Sequence, residues 1–183
     1  MGWTSYHYGG LLKTNSQKKM AMREQFGNDP KWGTILKDSL VGNTYYATVK
    51  YTATGEVFAL VVLISVNNKD YYNMSYKDMV ESSGPYQIDC PISILNLLSP
   101  TKNEYALNWR KSCRENAKRK NVVLKNGDII EFEKSIQFQS GRECRKFRVV
   151  KEPRRHTYFY MLENNGGYCT ISGWKKMNYK IVS

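Results

Sequence analysis

Residues 57–66 read VFALVVLISV, and the first eight of these form the longest unbroken apolar run in the chain. Eight residues cannot cross a bilayer, which needs roughly 20 as a helix. The run is too short for an amphipathic helix and shows no period-two alternation. Its Val and Ile content predicts a central β-strand covered on both faces. The preceding segment, 44–52 (TYYATVKYT), is rich in Thr, Tyr and Val, and Thr54-Gly55-Glu56 supplies a turn between the two. A β-hairpin follows. A doubly covered strand needs a packed layer on each side, and 183 residues with 41% hydrophobic content are enough for that. The same numbers argue against wholesale disorder.

Other elements follow from local signals. Trp3, Tyr6 and Tyr8 predict a short N-terminal strand. Residues 16–26 (SQKKMAMREQF) predict a helix capped by Ser16 and stopped by Gly27. Asp29-Pro30 predicts a turn, and 34–39 is weakly strand-like. Residues 71–83 fit either a helix, from Met74, Asp78 and Glu81, or a loop. Cys90-Pro91 opens a short helix over 92–98. Thr101-x-x-Glu104 has the form of a capping box for the next helix. In that helix Tyr105, Trp109 and Cys113 recur four apart as an inward face, and Arg110, Arg114 and Lys118 form an outward cationic stripe. Beyond residue 121, segments 122–124 and 128–132 flank Asn126-Gly127, the type I′ hairpin dipeptide. Further short strands are expected at 136–139, 146–150, 157–161, 168–171 and 179–182. The sum is an α+β chain in two parts. Residues 1–120 form an antiparallel sheet with helices ending in a basic helix, and residues 121–183 form a small SH3-like β-barrel.

Charge is uneven along the chain. Residues 1–90 carry nine Lys/Arg and eight Asp/Glu, whereas residues 91–183 carry 19 and eight, so nearly all of the net +12 lies in the second half. Two clusters concentrate it. Between Lys102 and Lys120 there are seven basic and two acidic residues, and between Arg142 and Arg155 again seven and two. Concentrated cations favour a polyanionic partner over a general solubility role. The candidate phosphate ligands are Arg110, Lys111, Arg114, Lys118, Arg119 and Lys120 in the first cluster. In the second they are Arg142, Arg145, Lys146, Arg148, Lys151, Arg154 and Arg155. His156, Tyr158 and Tyr160 follow closely and offer surfaces for bases. The alternation of Arg145, Phe147 and Val149 against Lys146, Arg148 and Val150 does not say which side of that strand is wet.

Catalytic chemistry finds less support. Two histidines, His7 and His156, and four cysteines 23, 31 and 25 residues apart give no zinc-ligand spacing, so packed, reduced thiols are expected. Cys90 beside Asp89 with His7, or Ser5 with His7, could form a nucleophilic site, but no nucleophile elbow surrounds either. Asp70, Asp78, Glu81 and Asp89 are the candidates for a metal-dependent nuclease or hydrolase. Phosphate-binding glycine loops of the GxxxxGK[ST] or GxGxxG type do not occur, and no cofactor is expected. The opening MGWTSYHYGG has no basic patch ahead of an apolar run, which predicts no secretory signal and a cytoplasmic protein.

Met1 to His7 (MGWTSYH), residues 67–79 (NNKDYYNMSYKDM), Gly84-Pro85, Asp89-Cys90-Pro91 and residues 94–110 resemble a family of phage and mobile-element proteins. Ser172-Gly173-Trp174 and the C-terminal strands resemble its appended β domain more loosely. The short, basic segment 8–26 departs from the family pattern. That family has no established chemistry, so the resemblance assigns no catalytic residue. Its genomic setting implies takeover of a host or evasion of its defences. In size and charge the chain is similar to small phage inhibitors of Cas9, the anti-CRISPR proteins. The expected function is therefore non-enzymatic binding, through a basic surface, to DNA or RNA or to a ribonucleoprotein such as Cas9 with its guide. A metal-dependent nuclease and a structural protein-interaction module are the alternatives.

Overall fold

The computed structural model describes residues 2–27, 33–67, 69–151, 157–164 and 166–182. The turn expected at Asp29-Pro30, and the candidates Arg154, Arg155 and His156, lie outside the described residues. The chain divides into two compact units, 1–117 and 118–183. Both are built on antiparallel sheets, so the chain is mixed α+β.

The first unit holds strands β1 (Thr4–His7), β2 (Thr34–Val41), β3 (Thr44–Lys50), β4 (Val57–Val66) and β5 (Asn73–Val80) in the order β1-β5-β4-β3-β2. The expected hairpin is β3 and β4, paired from Thr44↔Leu63 to Lys50↔Val57. The unbroken apolar run in β4 has its physical cause in two layers. Leu60, Val62 and Ile64 face helix α1 (Asn15–Gly27), packing in one cluster with Met22 and Phe26. Ala59 and Val61 face the other way, toward α2 (Ile92–Leu95) and α3 (Glu104–Lys120), in a cluster with Ile94, Leu95, Trp109 and Cys113.

Residues 73–80 resolve the choice between helix and loop as neither. They form β5, between β1 and β4. Met74 and Tyr76 are buried while Ser75 and Lys77, alternating with them, are half-exposed, the period of a strand. Without this strand β4 would present an open ladder edge.

Both main helix starts differ from expectation by a few residues. In α1 the cap is Thr14 rather than Ser16: Gln17 N–H donates to Thr14 Oγ1 at 3.2 Å, and Thr14 N–H donates to Gln17 Oε1 at 2.9 Å. That reciprocal pair is a capping box. In α3 the cap is Asn103, whose Oδ1 accepts from Ala106 N–H at 2.9 Å, while Thr101 Oγ1 accepts from Asn103 N–H. The inward stripe of α3 is Ala106, Trp109, Cys113 and Asn116, whereas Tyr105 is 67% exposed. Spacings of three, four and three follow the helical period more closely than repeated fours.

A buried carboxylate held in an ion pair lies on each side of this sheet. Asp38 on β2 accepts from Arg23 at 2.5 and 2.6 Å and from Tyr45 Oη at 3.1 Å, with Lys19 at 3.0 Å. Glu81, just past β5, accepts from Arg110 Nε and Nη2 at 2.6 Å each, and Arg110 Nη1 donates to the Ser99 carbonyl at 2.7 Å.

The second unit holds β6 (Ile129–Gln137), β7 (Glu143–Lys151), β8 (Thr157–Met161), β9 (Tyr168–Cys169) and β10 (Tyr179–Ile181), in the order β10-β6-β7-β8-β9. One face is packed: Ile130, Phe132, Phe147, Val149, Phe159 and Met161 bury against Leu124 and Ile171, with Trp174 and Tyr179 at the rim. No ladder joins β9 to β10 among the described residues, so a closed barrel is not found.

The hairpin expected at Asn126-Gly127 does not form between 122–124 and β6. A type I′ turn needs positive φ at both central residues. Gly127 has φ +90°, but Asn126 is not in the left-handed region. Leu124 instead buries into the core, and Gly127 N–H and Asp128 O bond to Val149 on β7.

Candidate nucleic-acid interface

The wet side of β7 follows from the register. Phe147 and Val149 are fully buried, while Lys146 and Arg148 are exposed. Residues directly opposite one another across an antiparallel ladder share a face. Arg148 is opposite Ile129 on β6 and Tyr160 on β8, and Tyr160 is opposite Tyr168 on β9. The outward row is therefore Ile129–Arg148–Tyr160–Tyr168. The next row is Lys180–Glu131–Lys146, and Val150 with Tyr158 begins a third. Strands about 4.8 Å apart place Arg148 and the two tyrosines side by side.

In these two rows one carboxylate, Glu131, lies among the cations Lys146, Arg148 and Lys180, with Arg145 reaching it from the adjacent position. Glu131 pairs with Lys180 at 3.1 Å and with Arg145 at 3.3 Å. The hydrogen bond from Lys180 is the main reason its carboxyl lies below the ordinary range, and Lys146 and Arg145 act in the same sense. It stays ionised and orders its neighbours, leaving the rows with a cationic surplus. Arg145 also donates from Nε to the Phe132 carbonyl at 2.9 Å, and its backbone N–H donates to Glu163 at the rim. Arg148 is exposed in the middle of the face.

The aromatic part is equally defined. The Tyr160 and Tyr168 rings lie 5.1 Å apart with 67° between their planes, and Tyr168 is 70% exposed. Gly166, at φ +70°, lies against the Tyr160 hydroxyl, and a Cβ there would fall 2.4 Å from that oxygen. Only glycine fits both the backbone and the contact. Arg142 reaches the same loop, donating to the Gly166 carbonyl at 3.5 Å. Lys151 is exposed at the end of β7 and pairs with Thr157, on the parity of the buried side.

The helical cluster is less uniform than its spacing predicts. Arg110 is largely buried and committed to Glu81 and Ser99, so it belongs to the core rather than to a phosphate-binding stripe. Arg114 donates to Asn96 Oδ1 at 3.0 Å and to the Leu95 carbonyl at 3.3 Å, holding α2. Arg119 bonds to Asn178, which in turn donates to Glu133. Lys111, Lys118 and Lys120 are exposed. Sequence reasoning missed Lys180 and Tyr168, because only the strand register brings them beside Arg148. Their outward parity within two short strands carried too few residues to be read alone.

The catalytic candidates are dispersed. Cys90 and Cys113 are buried in the first unit, and burial pushes the Cys90 thiol up and the Cys113 thiol up to about 12. Neither is an activated nucleophile at neutral pH. His7 Nδ1 is 2.7 Å from Asn73 Oδ1 on the edge of the sheet. Asp70 bonds to Asn73 in a turn, Asp78 lies on β5, Glu81 is paired with Arg110, and Asp89 accepts from Asn116 at 2.6 Å. The four acids thus sit on different elements, and among the described residues no three His, Cys, Asp or Glu side chains are grouped to hold a metal ion. No helix among them is long and apolar enough to cross a membrane.

Residues 100–174 match a family described as Domain of unknown function (DUF6927). That stretch runs from the start of α3 to Trp174 and contains both cationic clusters. No curated protein and no solved structure matches the chain.

Proposed function

We propose that this protein is a non-enzymatic binder of nucleic acid, alone or within a ribonucleoprotein, and that the outward face of the second sheet makes the contact. The observation that carries the reading is the side-by-side placement of Lys146, Arg148 and Lys180 with Tyr160 and Tyr168 on the face of the sheet opposite its packed core. Cations supply phosphate contacts, and aromatic rings supply surfaces for bases. Lys111, Lys118 and Lys120 on α3, together with Arg142 and Lys151, add charge that attracts the same polyanion. Arg154 and Arg155 extend the sequence of basic residues beyond β7.

In this reading the second unit serves as an SH3-like scaffold. The resemblance to phage and mobile-element proteins supports action in a bacterial host cytoplasm, where occlusion of a defence nuclease such as Cas9 with its guide RNA is the most concrete role. The test is a Lys146→Glu, Arg148→Glu double variant. Retention on heparin and affinity for nucleic acid are expected to fall steeply. Unchanged retention and affinity would overturn the reading. Recovery of Cas9 with guide from a lysate, lost on nuclease treatment, would support the defence role.

A further inference from the structure

The outward rows of the second sheet separate two kinds of recognition, and the geometry points to a single strand, with unpaired bases stacked on Tyr160 and Tyr168, as the nucleic acid this face takes. The inference rests on the proposed nucleic-acid reading and specifies its ligand.

Three features carry it. First, the two tyrosines are neighbours on β8 and β9, at the end of the row opposite Ile129, with Arg148 between. A base lying on an aromatic ring must be unpaired and splayed from its neighbours, because a duplex keeps its bases stacked inside. Second, the rings are inclined at 67° with centroids 5.1 Å apart, so they are not sealed face to face. The exposed ring of Tyr168 is open to a ligand, and Tyr160 supports it from the side. Third, the cations are set off from the rings along the strands. Lys146 is two residues from Arg148 on β7, and Lys180 lies in the same row as Lys146, across Glu131. Two residues along a strand span about 6.6 Å. That is close to the spacing of successive phosphates in an extended single strand, so a backbone can follow the cations while its bases turn toward β8 and β9. Glu131 lies in the cationic row, but Lys180 and Arg145 hold it, so it orders the two cations rather than facing the strand alone.

Gly166 leaves room for the arrangement: an added Cβ would fall 2.4 Å from the Tyr160 hydroxyl and push that ring aside.

The test compares three probes on the full chain: a dT oligonucleotide, a duplex of the same length, and inorganic polyphosphate. Tyr168→Ala is expected to lower affinity for the oligonucleotide roughly tenfold. Binding of polyphosphate and duplex should stay within twofold. Tyr168→Phe should restore the oligonucleotide affinity, because the ring and not the hydroxyl does the stacking. Tyr160→Phe, which keeps the ring packed, should bind as the parent does. Equal affinity of Tyr168→Ala and the parent for the oligonucleotide overturns the single-strand inference while leaving the nucleic-acid reading intact. So does an equal loss for all three probes. If Lys146→Glu with Arg148→Glu leaves every probe bound, the nucleic-acid reading itself fails, and the inference with it.

Discussion

Arg110 illustrates how one side chain changes meaning between sequence and structure. Spacing places it in a cationic stripe with Arg114 and Lys118. In the fold it neutralises Glu81, itself 4% exposed, through two hydrogen bonds of 2.6 Å. Removing one partner of a buried pair leaves the other charge without compensation, at a cost of about 3–5 kcal/mol. Arg110→Ala should therefore lower the unfolding free energy by about that amount in denaturant titration, whereas Lys111→Ala on the exposed face should change it by less than about 0.5 kcal/mol. Equal effects would show that the pair contributes nothing special. Asp38 gives a pH-dependent counterpart. Burial alone would raise its carboxyl, but hydrogen bonds from Arg23 and Lys19 outweigh that and hold it below the ordinary range. A carboxylate depressed in the folded state stabilises above its unfolded pKa, near about 4, and loses that contribution as pH falls through the folded value. Asp38→Asn should flatten the loss of stability that sets in as pH falls below the ordinary carboxylate range. An unchanged acid transition would remove Asp38 from the account. Neither partner was legible beforehand, because Glu81 lies 29 residues from Arg110 and Asp38 15 from Arg23.

At the scale of elements, long apolar patterning was readable and short-range punctuation less so. The β3–β4 hairpin and helices α1 to α3 follow directly from periodicity and turn residues. β5 did not, because Met74 and Tyr76 fit a strand while Met74 and Asp78 fit a helix, and only pairing with both β1 and β4 decides. The caps shifted for a related reason: Thr14, Asn15 and Ser16 adjoin one another at the start of α1, Thr101 and Asn103 both precede α3, and any of them can accept an N–H. Asn103 is the one that does so for α3. Asn103→Ala should cost about 1 kcal/mol of stability in thermal or denaturant unfolding, and Asn103→Asp or →Ser far less. A Thr101→Ala variant that costs more than Asn103→Ala would contradict the assigned cap. In the second sheet the strands were legible, but which side faces water was not, since Arg145 and Lys146 are both exposed where the β6–β7 register shifts.

For the molecule as a whole, the surplus charge of the second half is a sequence fact, but its arrangement is not. The sheet face gathers Arg145, Lys146 and Arg148 with Lys180, whereas Arg110 and Arg119 are drawn into contacts of their own. The decisive measurement is the salt dependence of binding to a single-stranded dT oligonucleotide by the parent and by Lys146→Glu, Arg148→Glu. Each phosphate contact to a single strand contributes a slope of about −0.7 in log affinity against log salt. The double variant should bind more weakly and have a slope shallower by about 1.4, corresponding to two lost contacts. A variant that binds with the parent's affinity and slope would contradict the assignment of this face to nucleic acid.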